Sequence, residues 1–209
     1  MRGMRGARAV AAVAAFVGWF GLAVQLWLIV GNLGPALGLW RYVGFFTILA
    51  NIGAAAVATA IALGGSSQLA GARARLMALT SIVTVGIVYS LLLRSVWNPQ
   101  GWQKVADAVL HDVTPILFVL LWAVMPHGEL KRGDLKWALV PPAAYLAYAL
   151  ARGAVDGWYA YWFLDPSKQR IGELGLSIIG VLAIFAIVAA LAIAIDGGRR
   201  LSRQSVPPA

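Results

Sequence analysis

The sequence predicts an all-α integral membrane protein, a single domain over residues 1–196 built from six transmembrane helices with both termini cytoplasmic. Three observations predict it. Of 209 residues, 61% are hydrophobic and 12% charged, against roughly 25% charged in an average soluble domain. Uncharged apolar runs over 10–30, 43–63, 76–93 and 174–195 approach or exceed the ~20 residues a helix needs to cross ~30 Å of hydrocarbon. The 17 basic residues also divide unevenly. Six spans with the N-terminus inside put Arg2, Arg5, Arg8, Arg73, Arg75, Lys131, Arg132, Lys136, Arg199, Arg200 and Arg203 on the cytoplasmic side, and Arg41, Arg94, Lys104, Arg152, Lys168 and Arg170 on the other, a split of 11 to 6. Such a bias toward the inside is the topology signal of a membrane protein, so the net charge of +9 is read as orientation and not as a nucleic-acid patch.

Taken in order, the first span (10–30) follows the basic start Met1-Arg2-Gly3-Met4-Arg5. Its apolar run exceeds the 7–15 residues of a secretory-signal core, so it is expected to be retained. The second span (43–63) ends at Gly64-Gly65-Ser66-Ser67, a loop by composition. The third (76–93) closes on Arg94. The fourth (108–125) reaches spanning length only if His111 and Asp112 enter the headgroup zone. The fifth (137–152) carries Pro141 and Pro142 near its start, where proline is tolerated because first-turn donors are unpaired anyway. A polar loop over 126–136, holding a solvated His127, separates these two. The sixth span (174–195) leaves a basic tail, 197–209, expected to be without structure.

With no cysteine in the chain, disulfides, thiol catalysis and Cys-ligated metal sites are excluded. One intramembrane histidine cannot supply two axial haem ligands, and no run has the spacing of a zinc site or a serine elbow. No metal and no cofactor are expected.

An ionisable side chain inside a span is costly unless it faces a partner or a cavity, which makes His111 the first functional candidate. Asp107 precedes it by four residues on the same helical face and can orient the imidazole, or can simply be a solvated residue favoured by the helix dipole. Span two runs inward, placing Thr47 about one turn below the outer surface and Asn51 one turn deeper on the same face. The ordinary role of such a threonine is to bond the carbonyl one turn back. Arg94 and Arg152 end spans three and five, and the connection after span five holds Asp156, Trp158, Tyr159, Tyr161, Trp162 and Asp165. These residues are candidates for substrate binding or, alternatively, an interfacial belt of anchors. Thr114, three residues after His111, is the rival nucleophile.

At Phe45-Phe46-Thr47-Ile48-Leu49-Ala50-Asn51, at His111-Asp112-Val113-Thr114-Pro115, from Pro142-Ala143-Ala144-Tyr145 to Arg152-Gly153, and at Asp156-Gly157-Trp158-Tyr159 and Phe163-Leu164-Asp165, the chain resembles the family of the androgen-induced protein and the androgen-dependent TFPI-regulating protein. The likeness covers nearly the whole chain. Such proteins are multipass hydrolases of fatty acid esters of hydroxy fatty acids that use a threonine nucleophile and a histidine. The resemblance implies Thr47 and His111 for these roles and a bacterial plasma membrane location. The chain departs from bacterial relatives in having Leu121 before Trp122, where they often carry an acidic residue. It also has Tyr159-Ala160-Tyr161-Trp162-Phe163 where they have Tyr-Pro-Tyr-Pro-Phe.

The resulting expectation is a membrane-embedded threonine-type hydrolase of lipid esters with its site near the outer face. Its partners are the lipid ester and the surrounding membrane lipids; the sequence sets no oligomeric state. Thr47 attacks, His111 takes its proton, Asn51 or an aromatic hydroxyl stabilises the oxyanion, and Arg94 or Arg152 holds a free carboxylate. The alternative readings are a non-enzymatic lipid-binding or transport protein, which would be indifferent to Thr47, and an assembly or regulatory subunit with no bound small molecule.

Overall fold

A computed structural model describes residues 2–64 and 67–204. Gly65 and Ser66 of the second connection lie outside the described residues, as does the end of the tail from Ser205. Among the described residues every regular element is helical: α1 (Arg2–Leu33), α2 (Pro35–Tyr42), α3 (Phe46–Ala62), α4 (Ala72–Val88), α5 (Gly101–Ala108), α6 (Thr114–Val124), α7 (Leu135–Asp156) and α8 (Ile171–Gln204). Five stretches are long and apolar enough to cross a membrane, α5 and α6 counting as one, and α2 with α3 makes a sixth if that pair, bent by 76°, is one span. The chain is an all-α integral membrane protein.

Packing follows the small residues. Ala7, Ala11, Ala14, Ala15 and Leu22 form one buried face of α1, against Ala50, Ala54, Ala55, Ala58 and Ile61 of α3. A side chain at Gly18 would stand 3.2 Å from the Ala55 Cβ, so these two backbones approach closely. In lipid, where apolar burial gives helices little reason to associate, such close approach supplies the dispersion contact that holds a bundle together.

Several boundaries differ from the sequence expectation, each for a local reason. The second span does not begin at 43. Gly34 takes φ 78° and Pro35 opens a separate short helix, α2, which folds back on α1 so closely that a Cβ at Gly38 would meet the Val30 backbone at 2.8 Å. The fourth span begins at Gly101, not 108. His111 therefore sits ten residues, about 15 Å, into the helix instead of at its edge. The fifth begins at Leu135, so Pro141 and Pro142 lie inside α7 and not in its first turn. The sixth continues as helix to Gln204, so the basic residues through Arg203 extend it where a tail without structure was expected. His127 is not solvated: it is 9% exposed and faces Asp196 across 3.2 Å.

Two wide turns interrupt the α-helical pattern. Tyr89–Leu93 at the end of α4 and Val109–Val113 between α5 and α6 are π-helical. Pro115 contributes to the second, because it has no N–H to give to the His111 carbonyl four residues earlier. Gly86 is packed closely against that same carbonyl: an added Cβ would lie 3.1 Å from it. Such insertions re-aim side chains and recur at functional sites.

Candidate functional site

The two wide turns face each other and carry Tyr89 and His111, whose rings stack at 3.9 Å with 17° between planes. Opposite them is the first turn of α3, where Thr47 is second. At that position no carbonyl one turn back belongs to the helix, so the usual self-bond of a membrane threonine is not formed. Its Oγ1 instead has two partners, His111 Nε2 at 3.4 Å and the Tyr161 hydroxyl at 3.3 Å.

The remaining contacts fix the direction of each hydrogen. His111 Nδ1 faces the Asp107 carbonyl at 3.0 Å and its carboxylate Oδ1 at 3.3 Å. Both are pure acceptors, so Nδ1 carries a proton, and in the neutral imidazole Nε2 is then the acceptor that faces Thr47. The other Asp107 oxygen accepts from the Tyr89 hydroxyl at 2.5 Å. On the far side, the Thr47 N–H, an unpaired donor of the helix start, donates to the Tyr161 hydroxyl at 3.2 Å. Tyr161 is then free to donate to Thr47 Oγ1. A continuous relay runs from Tyr161 through Thr47, His111 and Asp107 to Tyr89, with every member oriented by the next. The 3.4 Å step from Thr47 to His111 is long for a hydrogen bond.

Thr47 lies in the wall between two cavities. One, about 390 Å³, is lined by His111, Asp107, Tyr89 and Tyr161 together with Trp97 and Gln103 near its rim. The other, about 60 Å³, is almost wholly apolar and lies toward Val85, Pro142 and Phe185. Thr47, Tyr89, Leu93 and Tyr161 belong to both.

Of the residues singled out from sequence, Thr47, His111, Asp107 and Tyr161 are brought together. Asn51 is adjacent but has another task. Its amide nitrogen donates to the Thr47 carbonyl at 2.8 Å and the Leu110 carbonyl at 3.2 Å, bracing α3 against the wide turn, which leaves no amide hydrogen for an oxyanion. Thr114 is buried at 2% exposure and is not among the residues lining either cavity.

The two expected carboxylate holders do not line the cavities, although the Arg94 guanidinium lies 4.8 Å over the Tyr89 ring. Arg94 pairs with Asp112 at 2.5 Å on the exposed rim. Arg152 is buried at 6% exposure, sits 3.9 Å over the Trp40 ring, donates to the Trp40 carbonyl and the Tyr148 hydroxyl, and thereby clamps α2 to α7. Asp156 accepts from the Trp40 indole at 2.7 Å. Trp158 lies under Arg41, 4.1 Å from its guanidinium, and Tyr159 fills the notch left by Gly153, where a Cβ would come within 2.2 Å of its ring. None of these five lines either cavity beside Thr47.

The loop that delivers Tyr161 is held by Asp165, whose Oδ1 accepts from the Ser167 hydroxyl at 2.6 Å and the Ser167 N–H at 2.9 Å. The Ser167 hydroxyl, with this turn, holds the Asp165 carboxyl below its ordinary range. Sequence reasoning missed Tyr89, because only the wide turn aims it at Asp107 and an unbroken α-helix gives no sign of one. Among the described residues no cluster of three or more metal-ligating side chains occurs. The chain matches no protein-family model, no curated protein and no solved structure.

Proposed function

We propose that this protein is a membrane-embedded threonine hydrolase of lipid esters, of the class that joins a fatty acid to a hydroxy fatty acid. The observation that carries the reading is the relay in which Thr47 donates toward an imidazole whose other nitrogen is held by Asp107. A threonine hydroxyl is a weak nucleophile until such a base takes its proton. His111 Nε2 accepts the Thr47 proton as Oγ1 attacks the ester carbonyl. The imidazolium then gives that proton to the departing alkoxide, leaving an acyl-threonine and a free alcohol. A water molecule, deprotonated by His111, attacks the acyl group and releases the fatty acid, and Thr47 recovers its proton.

The negative charge on the carbonyl oxygen meets two donors at the start of α3, the Thr47 N–H and the Tyr161 hydroxyl, which the resting site pairs with each other. Their alignment with the positive end of a 17-residue helix adds to the effect. The two cavities flanking Thr47 suit an ester with an arm on either side of its carbonyl, the smaller apolar one taking a short length of hydrocarbon. The split of basic residues supports a plasma membrane orientation with both termini cytoplasmic and the site toward the outer face. A cysteine introduced at Gly133, in the loop before α7, is then expected to be shielded from an impermeant thiol reagent in intact cells.

The test is to treat purified protein with a fluorophosphonate hydrolase probe and map the adduct. Labelling of Thr47, abolished in Thr47→Ala and His111→Ala, is the expected result. Turnover of an ester substrate that persists in Thr47→Ala would overturn it, and lipid binding without turnover would favour a carrier.

A further inference from the structure

A second feature is separated from the cavity beside Thr47 only by Phe46 and Tyr145. Between α3 and α7, with α4 as its floor, runs an open groove of about 700 Å³. Small residues leave room in it, Ala50, Gly53 and Ala56 on α3 and Ala74 and Ala78 on α4, between the larger Leu49, Val57 and Met77. A Cβ at Gly53 would meet nothing within 4 Å. From Phe46 to Val57 the groove follows α3 for about 16 Å, roughly half of a ~30 Å hydrocarbon core. One end is closed by the edge-to-face contact of Phe46 and Tyr145 at 5.1 Å. The other end continues, through shared Gln68 and Met77, into a polar basin of about 700 Å³.

That basin is not electrically neutral. Its carboxylates are already engaged, Asp134 with Arg73 Nε at 2.8 Å and Glu129 with Arg75 at 3.7 Å. Lys131 lines the basin, and Lys136 lies 5.6 Å from the ring of Trp137, which also lines it. No carboxylate lies within ion-pairing distance of either lysine among the described residues. The Arg73 side chain is 63% exposed. The local surplus is therefore two positive charges at the end of an apolar trough about one leaflet long, beside a tryptophan of the kind that sits at headgroup depth.

We infer that this groove binds one anionic phospholipid, its phosphate against Lys131, Lys136 and the exposed face of Arg73, and an acyl chain laid along α3 toward Phe46. The bound lipid is not a substrate: its phosphate end and Thr47 lie at opposite ends of α3. It instead packs against the wall, Phe46 and Tyr145, that separates the groove from the small cavity beside Thr47. The inference stands whether or not Thr47 is a nucleophile.

The experiment uses the purified full chain in a neutral detergent, with native mass spectrometry and thermal unfolding in the presence of phosphatidylglycerol or phosphatidylcholine of matched chains. One phosphatidylglycerol per chain is expected to be retained and to raise the melting temperature, with phosphatidylcholine at least tenfold weaker. Gly53→Leu fills the trough at a position where leucine favours helix over glycine, so the variant folds and loses retention of the lipid. Lys131→Glu with Lys136→Glu abolishes the preference for the anionic headgroup. Equal retention of both lipids overturns the inference, as does undiminished binding in Gly53→Leu. A wild-type dimer that becomes monomeric in Gly53→Leu would also overturn it, since the groove would then be seating a second copy.

Discussion

The two histidines of this chain form the same pair with different surroundings, and the contrast shows what sets His111 apart. His111 faces Asp107 at 3.3 Å and His127 faces Asp196 at 3.2 Å. Both imidazoles lie against an aromatic ring, His111 on Tyr89 and His127 edge-on to Trp122. The difference is the second nitrogen. In His111 it faces a hydroxyl, Thr47 Oγ1, in the wall of a cavity. In His127 it faces a backbone carbonyl, that of Ala123, at 3.4 Å, while the second Asp196 oxygen takes the Leu130 N–H at 2.9 Å. A carbonyl has no proton to give. The His127 pair ties α8 to the loop after α6, whereas the His111 pair has a hydroxyl beside its second nitrogen, as the proposed hydrolysis requires.

Removing the hydroxyl or the base should break the contrast most sharply. Thr47→Ala and His111→Ala are each expected to lose about 10³-fold or more in ester turnover, and the double variant no more than either alone, because residues acting as one unit are strongly non-additive. Multiplicative losses in a full set of steady-state rates would mean that the two act separately.

Tyr161→Phe comes next, with an expected loss of about 10²-fold, the size of one oxyanion donor. The loss should fall on kcat more than KM, since the hydroxyl is most useful once charge has developed.

Asp107→Asn is expected to cost less than the loss of a buried triad aspartate, about tenfold. The Asp107 carbonyl, at 3.0 Å from Nδ1, still fixes the tautomer after the carboxylate is neutralised. Comparing turnover of Asp107→Asn with Tyr89→Phe sharpens the point, because Tyr89→Phe keeps the stacking and the carboxylate and removes only its anchor.

At the other pair the expected effects reverse. Asp196→Ala leaves His127 and the Leu130 N–H without their partner and should destabilise the fold by about 3 kcal/mol, while probe labelling of Thr47 in the folded fraction is unchanged. The smallest effect concerns Asp165. A carboxyl held below its ordinary range stabilises the fold above the unfolded value, near 4, and loses that contribution as pH falls through the folded value. The melting-temperature gap between wild type and Asp165→Asn should therefore be present at neutral pH and narrow on acidification.

Much of this molecule is written in its composition and periodicity. The apolar runs fix a helical membrane protein, because a chain in hydrocarbon must satisfy every backbone group within its own helices. The histidine inside a span and the aspartate one turn before it stand out as candidates by the cost of placing either there without a partner. Local sequence also carries two further signs: Pro115 announces the freed carbonyl of His111, and Gly34-Pro35 the extra helix α2, whose boundary was misjudged.

What only the tertiary structure decided is partnership across distant segments. Arg152 reads as a free guanidinium at a helix end until Trp40 and Tyr148 are seen enclosing it, and His127 reads as solvated until α8 brings Asp196, 69 positions away, against it. Tyr89 and Tyr161 could not be ranked above the chain's other tyrosines by spacing. One is aimed by a wide turn whose extra residue leaves no periodic signature, the other by a loop closed through Asp165. Helix identity is local, set by each residue's transfer free energy. The direction of a side chain at a site is set by the packing of helices far apart in sequence, and for this reason Thr47, His111 and Asp107 were visible as candidates while the tyrosines that flank them were not placed.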